Sequence, residues 1–253
     1  MRVFITGASS GIGAALAAHY AARGARLGLV ARRAETLAEV GRKLPGSPAC
    51  YLADVADARA MQDAARDFMA RFGVPDIVIA NAGVSVGTLT EHAEDIAVFG
   101  RVLQTNVVGL AATFHPFVAP MREAGRGRLA GIASVAGARG IPGAGAYSAS
   151  KAAAIAYLEA LRVELRPSGV RVVTVCPGYV ATPMTAVNRY RMPFILPADV
   201  AARRIARVID AGRAYAVVPW QMALVARTMR LLPNAVYDRL FRRAGRKPRG
   251  LKL

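Results

Sequence analysis

Short apolar runs recur along the whole chain, at residues 3–6, 26–31, 49–52, 76–80, 128–134, 171–176 and 214–218, with longer, mostly alanine-rich segments between them. These runs are dominated by Val, Ile and Leu and lack the polar alternation of a half-exposed strand, so each suits a strand buried on both faces of a parallel sheet. The intervening segments near 11–23, 33–43, 58–72, 99–124, 147–166 and 198–211 suit helices. Regular alternation with right-handed crossovers implies an α/β fold, a doubly wound parallel sheet of about seven strands with helices on both faces. No repeat, low-complexity tract or linker interrupts the pattern before residue 220, which predicts one domain over 1–220. Residues 221–253 read as a basic C-terminal extension, helical in two pieces broken at Pro233 and then frayed.

Composition narrows the functional classes. A chain of 253 residues with 54% hydrophobic and 20% charged residues can bury a full core and does not fit a disordered protein. Its two cysteines, Cys50 and Cys176, read as ordinary thiols rather than a disulfide framework. The opening residues already form a strand pattern, so no leader peptide is expected. The uncharged run 102–121 contains Gln104, Asn106, His115, Pro116 and Pro120 and reads as a buried core helix, not a membrane span. A cytoplasmic protein is the expectation. His19, His92 and His115 lack metal-ligand company, and no metal is assigned.

The formal net charge is +18. Nine basic residues and one acid fall in 221–253, so +8 of it sits in the tail. Trp220 to Ala226 is aromatic and apolar, and Arg227 and Arg230 follow. That mixture suits a helix resting peripherally on an anionic inner membrane surface, or one packed across a subunit boundary. Nothing interleaves aromatic and basic residues as a nucleic-acid binder would.

The first strand runs straight into Gly7-Ala8-Ser9-Ser10-Gly11-Ile12-Gly13 and then a helix. Gly7 can make the tight turn, while Gly11 and Gly13 let backbone approach a pyrophosphate and pack helix on strand. Free N–H groups at the helix start, with the helix dipole, attract the anion. At the end of the second strand, where an acid would bind a ribose 2′-hydroxyl, the chain has Ala31 followed by Arg32 and Arg33. A guanidinium can grip a 2′-phosphate in a fork, which favours NADP(H) over NAD(H). Asp54-Val55 follows the third strand and fits either an adenine contact or a helix cap.

Tyr147 and Lys151 are one helical turn apart, so both can project from one face. A nearby ammonium stabilises a phenolate and so makes a tyrosine usable for acid–base work near neutrality. The pair alone is a common coincidence; its partners give it weight. Ser134 closes the fifth strand at the carboxyl edge, where a doubly wound sheet places its ligand crevice. Its hydroxyl there could steady a developing charge. Asn106 lies inside a helix, where it is unfavourable and needs a reason. Asn81-Ala82-Gly83 follows the fourth strand, and Pro177-Gly178, Val180 and Thr182 follow the sixth.

In order and spacing these residues resemble the compact, single-domain branch of the short-chain dehydrogenase/reductase family, over about residues 1–220. The resemblance implies a Rossmann-like, NADP(H)-dependent oxidoreductase that moves a hydride between nicotinamide and a ketone, aldehyde or secondary alcohol. It implies a tetrad of Asn106, Ser134, Tyr147 and Lys151. Tyr147 would be the general acid/base, Lys151 would hold the nicotinamide ribose and tune Tyr147, Ser134 would orient the carbonyl, and Asn106 would position a water relaying protons to Lys151. Asn81 and Gly83 would brace the crevice, and Val180 and Thr182 would hold the carboxamide. A homodimer or homotetramer is also implied; the alanine-rich face of 151–165 resembles the family's dimer-forming helix and fits internal packing equally. Two departures stand out: Ala80 where a second Asn is commoner, and a longer, more basic tail that does not match a short C-terminus docked in a tetramer.

The expected substrate walls are 84–89, 136–142, Tyr179 and the loop through Met184, Met192, Phe194, Ile195 and Leu196. They are mostly apolar, which favours a lipophilic substrate. The competing reading is a catalytically silent NADP(H)-binding sensor or scaffold whose basic tail contacts membrane or nucleic acid.

Overall fold

The chain folds around β1 (Arg2–Thr6), whose residues from Val3 on are buried. In this computed structural model, which describes residues 1–242 and 244–250, β1 is followed by α1 (Gly11–Ala21), β2 (Arg26–Ala31), α2 (Ala34–Lys43), β3 (Ala49–Leu52), α3 (Ala58–Phe72) and β4 (Ile77–Ala80). The second half continues through α4 (Glu94–Leu103), α5 (Gly109–Glu123), β5 (Gly127–Ile132), α6 (Gly145–Glu164) and β6 (Val170–Pro177). Next come β7 (Val180–Ala181), α7 (Pro183–Ala186), β8 (Leu196–Pro197), α8 (Ala198–Asp210), β9 (Tyr215–Val218), α9 (Gln221–Leu231) and α10 (Asn234–Phe241).

Seven strands form one parallel sheet in the order β3-β2-β1-β4-β5-β6-β9, and β7 and β8 pair separately. Successive side chains on a strand face opposite ways, so β1 feeds two cores at once. Ile5 joins Leu16, Tyr20, Ile205 and Ile209 of α1 and α8, while Phe4 joins Phe68, Phe114, Phe117 and Leu158 of α3, α5 and α6. Gly28 of β2 lies under that aromatic group, where a Cβ would come within 2.5 Å of the Phe68 ring and 2.7 Å of the Phe4 ring. The helix starts follow local chemistry: Asp57 caps α3 by accepting from the amides of Arg59 and Ala60 at 2.9 and 3.0 Å.

Three features depart from the sequence expectation. The helical run containing Asn106 begins at Glu94, not near Phe99, and a π-helical turn at Gln104–Val108 separates α4 from α5. This run is apolar and long enough to cross a membrane, but Phe114, Phe117 and Met121 within it are fully buried in the core. Strand β5 stops at Ile132, so Ser134 caps the short helical turn Val135–Gly137 instead of closing the strand. Lastly, the tail breaks at Pro233 as expected, yet its end is docked rather than frayed across 244–250. Lys247 is buried, and Arg249 pairs with Glu94 and Asp95 at 2.9 and 2.7 Å. Those partners are some 155 positions away in sequence, where no local pattern reveals them.

Helices α9 and α10 are fastened to the loop between β5 and α6. Met222, Ala226 and Met229 pack on Val135. The Arg139 guanidinium donates to the carbonyls of Met229 and Leu232, both at 2.6 Å, and to Asn234 Oδ1 at 2.7 Å. It also lies 3.9 Å over the Tyr237 ring, whose hydroxyl donates to the Gly140 carbonyl at 2.6 Å.

Candidate active site

Strand order reverses between β1 and β4, and a parallel sheet opens its ligand crevice at the carboxyl ends beside such a switch point. Here the junction is locked by side chains. The buried Thr6 hydroxyl accepts from the amides of Asn81 and Ala82 at 3.2 and 3.3 Å. Asn81 Nδ2 returns hydrogen bonds to the carbonyls of Thr6 and Gly7 at 3.0 and 3.2 Å. Gly7 has φ +66°, and a Cβ there would sit 2.7 Å from the Ala82 Cα; a Cβ on Gly13 would collide with the Gly7 carbonyl. Gly13 therefore brings α1 close to β1 without facing the cleft, whereas Gly11, at φ +55°, faces Thr182 across it.

The cleft has a volume of about 670 Å³. Gly7, Ser9, Ser10, Gly11 and Ile12 line its floor, Arg32, Arg33, Asp54 and Val55 one end, and Asn81, Ala82 and Gly83 the middle. Ser134, Tyr147, Lys151, Pro177, Gly178, Val180 and Thr182 line the rest. Of the catalytic and cofactor residues expected, Gly13 and Asn106 lie outside the lining; of the expected substrate walls, only Val84 and Met184 belong to it, and 85–89, 136–142, Tyr179, Met192, Phe194, Ile195 and Leu196 do not. Arg33 Nη2 is 3.4 Å from Ser9 Oγ and 3.3 Å from Ser10 Oγ, so a cation and two hydroxyls converge where the turn meets the end of β2. Arg32 reaches Asp54 at 3.4 Å. Asp54 is not the helix cap, a place taken by Asp57; its other oxygen accepts from the Ala56 amide at 3.0 Å.

At the opposite end, α6 presents Tyr147 and Lys151 on one face. Lys151 Nζ lies 5.8 Å from the Tyr147 ring centre and donates to the Ile132 carbonyl at 2.8 Å. Burial pulls the Lys151 ammonium down to about 8 and pushes the Tyr147 phenol above its ordinary value, the adjacent Ser134 hydroxyl opposing the latter shift. In the protein alone burial thus disfavours the charged form of each.

Asn106 acts through structure. Its Oδ1 accepts from the Val84 amide at 2.8 Å, and its Nδ2 donates to the Val84 carbonyl and to Ser150 Oγ, both at 2.9 Å. Ser150 in turn donates to the Tyr147 carbonyl at 2.8 Å. The side chain expected to position a water is committed to protein partners, tying the loop after β4 to the helix carrying Tyr147. Gly83 leaves room for this arrangement, since a Cβ there would lie 3.2 Å from Asn106 Oδ1 and 3.6 Å from Lys151 Nζ. Sequence reasoning missed Ser150, Thr6 and the lining residue Thr105. The usable signal for Thr6 was a hydroxyl ending an otherwise apolar strand; Ser150 and Thr105 carried none.

Glycine turn, arginine end and Tyr–Lys end together fit an elongated dinucleotide, and they define a nicotinamide-using oxidoreductase on a doubly wound sheet. Comparison with known proteins agrees. Residues 1–192 match the short chain dehydrogenase family. An uncharacterized oxidoreductase of Myxococcus xanthus is 38% identical, over 94% of this chain and 95% of that protein. Cis-4-hydroxycyclohexanecarboxylate dehydrogenase of Sinomonas cyclohexanicum is 35% identical, over 80% of this chain and 79% of its own. The crystal structure of levodione reductase superposes with a TM-score of 0.78 at 28% identity, covering 88% of this chain and 97% of the other. The chain belongs to the short-chain dehydrogenase/reductase family.

Lys151 is a buried cation whose folded pKa lies below its ordinary 10.5. Folding therefore opposes its proton below about pH 8, and stability returns as pH rises toward 10.5, where the unfolded chain sheds the same proton. Lys151→Met should be more stable than the wild type at pH 7 by on the order of 2 kcal/mol, after loss of the Ile132 hydrogen bond. Urea melts at pH 7 and pH 10 should show that gap closing.

Proposed function

We propose that the protein is an NADP(H)-dependent oxidoreductase interconverting a ketone or aldehyde and a secondary or primary alcohol, with Tyr147 as general acid/base. The observation that carries this reading is the convergence of Ser134, Tyr147 and Lys151 at one end of a cleft whose other end holds Arg32 and Arg33. NADPH, when bound, supplies the hydride. The chain's own groups bind, orient and move the proton. Ser134 donates to the substrate oxygen and holds it toward Tyr147. The Tyr147 hydroxyl delivers its proton to that oxygen as negative charge develops there. The Lys151 ammonium, one turn on, favours the phenolate left behind and can donate to a ribose hydroxyl. Asn106 and Ser150 fix α6 so that these distances hold.

Cofactor choice rests on Ala31, Arg32 and Arg33. With Ala31 replacing an acid, nothing at the end of β2 repels a 2′-phosphate, and Arg33 with Ser9 and Ser10 offers it donors. The substrate we favour is compact and lipophilic, since Val84, Ala133, Val180, Pro183 and Met184 share the cleft lining with Tyr147. The relative named for a hydroxycyclohexanecarboxylate supports cyclic ketones as first probes.

A homo-oligomer is supported by apolar side chains left exposed on α4 and α6, among them Ile96, Phe99 and Val163. In a cytoplasmic protein, peripheral membrane contact is supported by exposed Trp220, Leu224, Leu231 and Leu240 beside Arg227 and Arg230. Flotation with phosphatidylserine vesicles should carry the wild type and lose it on Leu224→Asp/Leu231→Asp; equal flotation would end that reading.

Tyr147→Phe should lower kcat for ketone reduction by about 10²–10⁴-fold while NADPH still binds with a similar Kd. Retained turnover would remove Tyr147 from the chemistry. Arg33→Ala should raise the KM for NADPH by roughly 10- to 100-fold and leave the KM for NADH nearly unchanged. Equal effects on both cofactors would refute the 2′-phosphate assignment.

A further inference from the structure

Three loops surround the Tyr147 end of the cleft, and the final described segment of the chain touches all of them. On the loop after β4, the Gly87 amide donates to the Pro248 carbonyl at 2.9 Å, and the backbone packs so closely that a Cβ on Gly87 would collide with the Lys247 carbonyl. On the loop before α6, the Arg246 side chain lies 2.9 Å from where a Gly143 Cβ would stand. On the loop after β6, Lys247 Nζ donates to the carbonyl of Met184, a residue of the cleft lining, at 2.9 Å. Gly245 in turn packs on the Tyr190 side chain. The far end is latched: Arg249 pairs with Glu94 and with the buried Asp95, which also accepts from the Leu89 amide at 2.7 Å.

We propose that residues 244–250, which reach the cleft lining through Met184 and do not themselves line it, form an outer roof that holds the three loops together and so sets the size of the molecule admitted to Tyr147. This rests on the functional reading above and adds to it a substrate class, compact single-ring or short-chain carbonyl compounds, with fused-ring ones excluded. The roof spans loops contributed by three separate parts of the chain, so its position fixes their mutual spacing. It leaves the glycine turn and the arginine end untouched, so cofactor binding is independent of it. The latch is polar and only part-buried on the Arg249 side, whereas Lys247 is enclosed. Such a strap can detach at one end while the protein keeps its fold.

Two variants test this: a chain ending at residue 243, and full-length Gly87→Ala, whose backbone accepts alanine but whose new methyl group displaces the Lys247 carbonyl. Both are assayed for NADPH binding by fluorescence, and for NADPH oxidation with cyclohexanone and with 2-decalone. The expected result is an NADPH Kd within about twofold of wild type, and a decalone-to-cyclohexanone ratio of kcat/KM raised at least about tenfold, the scale set by relieving a steric clash in an apolar pocket. If the truncated chain fails to fold, Gly87→Ala alone decides. An unchanged ratio in the folded variants, or loss of NADPH binding from them, overturns the roof. A wild type that binds NADPH yet reduces neither ketone overturns the functional reading instead. The roof is then judged by uptake of an apolar naphthyl dye, which the variants must bind at least about fivefold more tightly than the wild type.

Discussion

Everything at the site depends on how β1 and β4 are held at their carboxyl ends. A parallel sheet whose order reverses at one point leaves a gap there, because the chain departs to opposite faces on either side of it. That gap is useful only if its walls are fixed. Asn81 and Ala82 fix them by donating four hydrogen bonds to Thr6 and Gly7, all beside a turn that tolerates no side chain at Gly7 or Gly13. The asparagine spends its side-chain amide on two backbone carbonyls that a tight turn would otherwise leave without partners. The glycine turn and the loop after β4 are thereby mounted on one rigid junction.

A second tie sets α6 against that junction. Asn106 sits in a π-helical turn, where the helix is widened by one residue and a side chain can be aimed that an α-helix would direct elsewhere. Its amide holds Val84 on one side and, through Ser150, the Tyr147 carbonyl on the other. Tyr147 and Lys151 are thus held in a place where burial disfavours both of their charged forms. Holding a lysine buried in this way costs the free protein stability.

The sheet was legible in the sequence because its signal is local. Strands 26–31 and 49–52 and helix 58–72 coincide with the observed elements, since short apolar runs and helical spacing act within a few residues, although the cap of that helix is Asp57 and not Asp54. The cleft residues were legible through motif order, which reports the same loops. Tertiary replacements of local rules were not. The polar start of α4, with Glu94 and Asp95, masks a helix whose acids are answered by Arg249 at the other end of the chain. Ser134 was read one element too early because the apolar run continues past Ile132 into a turn. The tail end was read as frayed because its charge and glycine content describe a solvated segment unless distant partners exist.

That last misreading bears on what the extension is for. Arginines near a chain end are ordinarily solvated, yet Arg249 pairs with α4, and Arg139 of the loop before α6 donates to α9 and α10. A surface anchor needs only one such attachment, whereas this extension makes contacts on each loop that borders Tyr147. The apolar side of α9 that stays exposed faces away from those contacts, since Met222, Ala226 and Met229 are the residues turned inward. One helix therefore packs on the turn after β5 with one face and leaves the other exposed. The charge of the tail divides in the same way, part neutralised at the site and part left on the surface.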